Sequence, residues 1–97
     1  MTFRLNFTSR AVKDMEELAR DAGLRKRLKS VRKALGMLET NPRHPSLQTH
    51  KFQTLQGPNG EPVFEAYAEN QTAAAYRIFF YYGENDRIMI LAVTPHP

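Results

Sequence analysis

YRIFFYYGENDRIMILAV, residues 76–93, is the stretch that decides the fold. Two runs rich in β-branched and aromatic residues flank the segment GEND at residues 83–86, whose composition is that of a turn. Runs this apolar are typical of strands that lie inside a sheet, where neighbouring layers cover them. The pattern therefore predicts a central β-hairpin with strands over residues 76–82 and 87–94.

Two further strands are predicted before this hairpin. They cover residues 50–56 and residues 62–70, and the segment GPNG at residues 57–60 between them is a strong turn signal. Alternation in the second strand places Glu65 and Tyr67 on one face, and we expect both to be solvent-facing. A loop over residues 71–75 should connect this pair to the central hairpin.

The N-terminal half contains a strand and two helices. Residues 2–7 alternate in polarity and predict a half-buried strand beside the last strand of the sheet. Apolar residues then recur at helical spacing over residues 12–22 and again over residues 24–38. We expect Gly23 to end the first helix in a left-handed conformation, and the Asn-Pro pair at residues 41–42 to end the second.

The order of these elements predicts one α+β domain. Two helices with such a short link should form an antiparallel hairpin, and its apolar stripe needs the sheet as its cover. The predicted fold is an N-terminal strand, this helical hairpin, and then three to four mostly antiparallel strands in one sheet. A chain of 97 residues has room for one such core, so residues 1–97 are expected to be a single domain.

Composition excludes several classes of site. The chain has no cysteine, which excludes disulfides and thiolate chemistry and fits a reducing compartment, so we expect a cytoplasmic protein. No apolar run is long enough for a membrane span, and no membrane association is expected. Three scattered histidines lack the spacing of a metal site, so neither a metal nor another cofactor is expected.

The net charge of +4 is unevenly distributed. Residues 1–52 hold twelve Lys and Arg against five Asp and Glu, a balance of +7, whereas residues 53–97 hold two against five, a balance of −3. The outer face of the second predicted helix is basic, and it carries Arg25, Lys26, Arg27, Lys29, Arg32 and Lys33. This basic face is either an ordinary solvated surface or a binding surface for nucleic acid or an acidic partner, to which Lys51 would add.

A few side chains are candidates for chemistry. Arg77 opens the central hairpin and His96 follows its last strand, so the hairpin should bring the two toward one end of the sheet. Arg77 has an equally good structural role, as the cross-strand partner of Glu65 or Glu69. His44 and His50 flank a proline-containing connection, where bonding of the ring to backbone is the expected role.

The order of the predicted strands and helices, together with several short motifs, resembles the RelE/ParE toxin superfamily. These proteins are the toxin components of bacterial toxin–antitoxin modules. The most specific pieces are YRI at residues 76–78 before the aromatic run, LQG at residues 55–57, and the apolar strand over residues 90–96 that ends in histidine. The resemblance covers nearly the whole chain. It implies a small basic α+β protein that a cognate antitoxin neutralises by wrapping around it.

In the RelE branch the resemblance implies ribosome-dependent, metal-independent cleavage of messenger RNA. Arg77 matches the arginine at the start of the central strand and would stabilise the phosphate in the transition state. His96 would serve as acid or base. Glu65 as a general base and Tyr67 as a residue that orients the substrate are the other catalytic candidates, although RelE-like proteins carry basic residues at the comparable positions. The ParE branch, which inhibits DNA gyrase without cleaving RNA, is the alternative, as is a related protein that only binds a partner.

Overall fold

A computed structural model describes residues 2–70 and 72–95, and it shows two helices packed on one face of a five-stranded sheet. The helices are α1 (Ser9–Arg20) and α2 (Arg25–Thr40). The strands are β1 (Arg4–Phe7), β2 (His50–Gln56), β3 (Pro62–Tyr67), β4 (Tyr76–Tyr82) and β5 (Arg87–Pro95), and short 3-10 turns cover Ala22–Leu24 and Pro45–Leu47. The strand order is β1-β5-β4-β3-β2.

The predicted α+β architecture and the central hairpin are confirmed. β4 pairs antiparallel with β5 from Tyr76 opposite Pro95 to Tyr82 opposite Ile88. β1 lies beside β5, as the sequence predicts, and the pairing is parallel, a direction that the sequence left open. The four strands that follow the helices are the larger of the two numbers that the sequence allowed. β4 and β5 are therefore central, with a neighbour on each side.

The core lies between the helices and the face of the sheet that they cover. Leu18, Val31 and Leu38 from the helices meet Ile78 and Phe80 of the central hairpin, and all five are at most 2% exposed. Burying each of these side chains contributes roughly 1.5–3 kcal/mol before the loss of conformational entropy is counted. The helical hairpin is thus held mainly by the sheet.

Polar contacts fix α1 along the part of β5 that β1 does not reach. The register between β4 and β5 shifts beside Phe80, which leaves Leu91 as an extra residue. Thr8, the N-cap of α1, accepts a hydrogen bond from the Ala11 amide at 3.2 Å and donates its hydroxyl to the Leu91 carbonyl at 3.0 Å. Asp14 accepts from the Val93 amide at 2.9 Å. The irregular part of β5 therefore has its backbone groups satisfied by the helix.

Two local predictions are wrong. Gly23 does not adopt a left-handed conformation, because the helices are linked by the 3-10 turn Ala22–Leu24, in which the Asp21 carboxylate accepts from the Gly23 amide at 2.8 Å. β3 ends at Tyr67 rather than at residue 70. The reason is that Glu69 turns away from the strand and accepts from the Tyr76 amide at 3.0 Å.

The same Gly→Ala substitution at two positions tests how backbone conformation affects stability. Gly36 is exposed inside α2, and a Cβ there would meet nothing within 4 Å. We expect Gly36→Ala to raise the free energy of unfolding by about 0.5–1 kcal/mol, because alanine loses less backbone entropy in a helix. The measurement is urea unfolding followed by circular dichroism.

Gly60→Ala is the matched control. A Cβ at Gly60 also has open space, but the residue has φ of +83°, where an L side chain is strained. We expect this substitution to lower the free energy of unfolding by roughly 1–2 kcal/mol. Equal signs for the two variants would contradict this explanation.

Candidate active site

The face of the sheet opposite the helices places the candidate residues in two adjacent rows. The pairing puts Glu65 of β3 between His50 of β2 and Phe79 of β4. In the next row Arg77 of β4 lies directly opposite Tyr67 of β3. Arg77 and Glu65 are therefore diagonal neighbours on one face, close enough for long side chains to meet.

Glu65 is the centre of this cluster. The sequence predicts it as a solvent-facing strand residue, and that expectation is wrong, since Glu65 is only 2% exposed. One carboxylate oxygen is 2.5 Å from Nη1 of Arg77, and the other is 2.8 Å from Nε2 of His50. A buried carboxylate is tolerated because two charge-assisted contacts replace its hydration.

His50 lies between two hydrogen-bond acceptors. Its Nδ1 is 2.8 Å from the Gln48 carbonyl, and its Nε2 is 2.8 Å from the Glu65 carboxylate. A neutral imidazole carries only one N–H, so both contacts are satisfied only when the His50–Glu65 pair holds one further proton. When Nδ1–H of His50 donates to the Gln48 carbonyl, the contact between Nε2 and Glu65 therefore needs a proton on either the ring or the carboxylate.

Arg77 has contacts on two sides, but not all of its N–H donors have a hydrogen-bond partner among the described residues. Its guanidinium lies over the Tyr67 ring, with Cζ 4.5 Å from the ring centre, and Glu65 binds one end of the fork. Nε of Arg77 is buried and has no hydrogen-bond partner among the described residues. The side chain is 15% exposed, so the edge of the cation is reachable from this face.

Aromatic rings wall the cluster on the β2 side. Phe52 and Phe79 meet edge to face with ring centres 4.9 Å apart, and His50 meets Tyr67 in the same way at 5.7 Å. Glu65 is 2% exposed beside these rings, and its low exposure to water strengthens its interactions with Arg77 and His50.

His50 is the site residue that sequence reasoning missed. The sequence predicts only a backbone contact for it, which the structure shows, but not the contact with Glu65. Regular pairing from Gln56 opposite Pro62 would have placed Gln53, not His50, opposite Glu65. An irregularity between Lys51 and Gln56 moves the register by three residues, and no sequence signal marks it.

The other sequence-predicted site residues fall into two groups. His96 lies outside the described residues. The basic face lies on α2, and its exposed members there are Arg25, Lys26, Lys29, Arg32 and Lys33, while Lys51 is exposed on β2.

Arg27 differs from the rest of the basic face because it is engaged within the chain. Its Nη1 is 2.7 Å from the Ala74 carbonyl and 3.2 Å from the Glu69 carboxylate, and its Nη2 is 3.0 Å from the Ala73 carbonyl. The guanidinium also lies 5.8 Å from the Tyr76 ring centre. Burial raises the pKa of the Tyr76 hydroxyl, while the nearby Arg27 charge opposes that rise.

A second surface lies on the other side of the molecule, between the two helices. An apolar groove of about 360 Å³ is lined by Phe7, Val12, Met15, Ala19 and Leu28, with Glu16 and Arg32 at its rim. Val12 is 45% exposed and Phe7 is 37% exposed, which is unusual for large apolar side chains that share one surface. The basic face of α2 borders this groove.

The described residues contain neither a candidate metal site nor a candidate membrane-spanning helix. Within residues 2–70 and 72–95 there is no cluster of three His, Asp or Glu side chains suited to a metal ion. None of the helices in those two ranges is both long and apolar enough to cross a bilayer.

The fold has known counterparts among solved structures. The YoeB dimer from Staphylococcus aureus matches with a TM-score of 0.64 at 13% identity, over 100% of both chains. A chain of the E. coli DinJ–YafQ toxin–antitoxin complex matches with a TM-score of 0.66 at 11% identity, over 99% of this chain and 94% of that one. No family model and no curated protein matches the sequence significantly. The chain therefore has the same fold as these two proteins.

Proposed function

We propose that this protein is the toxin of a toxin–antitoxin module and that it cleaves messenger RNA on the ribosome. The observation that carries the proposal is the Glu65 cluster. The guanidinium of Arg77 and the imidazole of His50 both contact the Glu65 carboxylate on the face of the sheet that the helices leave open. Those are the groups that metal-independent RNA cleavage needs.

The chemistry assigns a role to each residue. In the reaction the 2′-oxygen loses its proton and bonds to phosphorus, and the bond from phosphorus to the 5′-oxygen breaks as that oxygen gains a proton. Arg77 would stabilise the charge on the phosphate. His50, whose side chain is 47% exposed, would donate the proton to the 5′-oxygen. The role of base would then fall to His96, for which the resemblance implies a role as acid or base.

Glu65 has a positioning role in this proposal, rather than the role of base that the sequence suggested. Both of its oxygens are engaged and its side chain is only 3% exposed, so a substrate would reach His50 and Arg77 first. The carboxylate would orient the imidazole, as the third member of a catalytic constellation does elsewhere. The Tyr67 ring packs against the Arg77 guanidinium and would hold it in position.

Expression in a bacterial host tests the proposal. Induction should stop growth, and reporter transcripts should be cut at codons in the ribosomal A site. Growth arrest with intact transcripts would exclude the nuclease and leave a binding toxin. Normal growth with the protein present at full level would exclude both.

A binding toxin without nuclease activity, such as a gyrase inhibitor, is the second candidate. It is favoured by the buried contact between Arg77 and Glu65, which neutralises the cation before any phosphate arrives. Supercoiling by purified DNA gyrase, measured with and without the protein, separates this candidate from the nuclease.

The groove between the helices suits the antitoxin that this proposal requires. Its floor is apolar and the neighbouring face of α2 is basic, so a matching partner is an amphipathic helix with acidic residues beside its apolar stripe. An antitoxin segment that is disordered when free would lose conformational entropy on binding, and the burial of Val12 and Phe7 would offset that loss.

Val12→Asp should weaken antitoxin binding by about 2 kcal/mol, or roughly 30-fold, because a carboxylate would enter an apolar contact beside acidic side chains. Stability should be kept, since Val12 is 45% exposed and lies in the first turns of α1, where an acid is favourable. Calorimetric titration with the antitoxin measures the effect.

Lys13→Asp is the control for this substitution. It lies next to Val12 on α1, is exposed, and does not line the groove. Its larger charge change should alter affinity less than Val12→Asp does. The reverse order would mean that general charge, and not the groove, governs binding.

A further inference from the structure

A pocket lies on the helix-covered side of the sheet, away from the Glu65 cluster. It has a volume of about 420 Å³, and the connection from α2 to β2 folds over the ends of β3 and β4 to form it. It is lined by Arg43, His44, Pro45, Gln48, Thr49, Phe64 and Tyr82. Phe64 precedes Glu65 in β3, so the two side chains point to opposite faces of the sheet. This Arg43 pocket is therefore separate from the proposed catalytic face.

The floor of the Arg43 pocket is aromatic. Phe64 and Tyr82 meet edge to face with ring centres 5.4 Å apart, and Phe64 also stacks on the buried Phe80 at 5.8 Å. Tyr82 is 38% exposed, so its ring presents a surface to the pocket that no helix covers. Exposed rings fixed by a buried neighbour are suited to stacking a planar ligand.

The wall of the pocket is a connection held in one conformation. Leu47 is fully buried and anchors it to the core. The Thr49 hydroxyl donates to the Pro42 carbonyl at 2.7 Å, and the His44 amide donates to the Asn41 carbonyl at 2.9 Å. The polar groups that this wall presents are thus preorganised, which reduces the entropy lost when a ligand binds.

Two donors of the wall are suited to an anion. Nδ1 of His44 accepts a hydrogen bond from the Ser46 amide at 3.1 Å, so the ring carries its proton on Nε2, which that turn does not use. Arg43 is exposed, and within residues 2–70 and 72–95 it has no ion-pair partner. Its charge acts on Tyr82: burial raises the pKa of that hydroxyl and Arg43 opposes the rise. The guanidinium therefore lies near the aromatic floor.

We propose that the Arg43 pocket binds a nucleotide, with the base stacked on Tyr82 and the phosphate held by Arg43 and His44. The volume lies in the range of small-ligand sites, roughly 300–1,000 Å³. No carboxylate among the described residues lines the pocket to repel a phosphate. An aromatic floor joined to a cationic wall matches the two halves of a nucleotide, whereas inorganic phosphate alone would leave the floor unused. The site is independent of the proposed nuclease activity.

The test is titration of the purified protein with AMP, monitored by calorimetry and by the NMR signals of the His44 ring. AMP should bind at least about tenfold more tightly than either adenosine or inorganic phosphate, and the His44 signals should shift. Arg43→Gln should weaken AMP binding at least about tenfold. Arg20→Gln, an exposed arginine of α1 far along the chain from the pocket, should leave it unchanged.

Each outcome decides the proposal. Equal affinity for phosphate and AMP, or equal weakening by Arg43→Gln and Arg20→Gln, would overturn it. A short single-stranded RNA with a 5′-phosphate distinguishes the source of the nucleotide: tighter binding than AMP points to an RNA end, and weaker binding points to a free nucleotide. Because growth arrest reports on the Glu65 cluster, loss of AMP binding with toxicity intact separates this site from the proposed function.

Discussion

Glu65→Ala is expected to lower the free energy of unfolding by about 3–5 kcal/mol, the usual cost of removing one partner from a buried ion pair. The substitution leaves the Arg77 guanidinium, with a side chain only 15% exposed, facing an emptied apolar space beside Phe52 and Phe79. His50 loses less, since its exposed ring can give up a proton. For a domain whose total stability is on the order of 5–15 kcal/mol, this is a large fraction.

Urea unfolding at neutral pH measures the effect, and Glu84→Ala provides the control. Glu84 is exposed in the turn between β4 and β5, so the same loss of charge should change stability by no more than about 0.5 kcal/mol. Replacing both partners, as in Glu65→Leu with Arg77→Leu, should cost less than Glu65→Ala alone, because neither charge is then left buried. Similar losses at Glu65 and Glu84 would show that the carboxylate is not the centre of the cluster.

The architecture was predictable because its signals are local. The composition of residues 76–93 specifies two buried strands and a turn, and the helical spacing over residues 24–38 specifies α2. The alternation of residues 2–7 predicted β1 as a strand, but its parallel direction beside β5 had no signal in the sequence. At Gly23 the prediction failed, because the 3-10 turn Ala22–Leu24 links the helices instead of a left-handed glycine. Both helices still pack on the sheet.

The site was only partly predictable because it depends on register. Arg77, Glu65 and Tyr67 are placed by two neighbouring strands whose spacing is regular, and the sequence therefore offered the contact between Arg77 and Glu65 as one alternative. His50 is placed by a three-residue irregularity in β2. Phe52 lies within this irregular segment and contacts Phe79 across the sheet, a long-range contact that no local pattern reveals.

The burial of Glu65 has the same origin. Alternation assigns a residue to a face of the sheet, but it does not say whether that face is covered. Here Glu65 lies between His50 and Phe79 on the neighbouring strands, and the Arg77 side chain reaches it from the diagonal position. Glu65 is therefore buried, although the alternation of β3 alone predicts that it faces solvent.

Arg77→Lys is expected to abolish growth arrest and to reduce transcript cleavage by about 10²–10³-fold, the loss typical of removing one transition-state donor. Lysine keeps the positive charge beside Glu65, so the ion pair and the fold should survive, but it lacks Nε and the planar fork. The part of the guanidinium that is exposed, 15% of the side chain, would meet an incoming phosphate, and lysine cannot reproduce the two parallel N–H donors of that planar group. Transcript mapping after induction measures cleavage, and urea unfolding confirms that stability changes by no more than about 1.5 kcal/mol.

Arg87→Lys, at the exposed start of β5, is the control and should behave as the wild type in both assays. The comparison also decides between the two candidate functions, because they require different things of the same side chain. A nuclease needs the fork of Arg77 in the transition state, whereas a binding toxin needs only the fold that the Arg77–Glu65 pair stabilises. Arg77→Lys that arrests growth as the wild type does would therefore contradict the nuclease, since a lysine at that position preserves the pair but not the geometry that phosphate recognition demands.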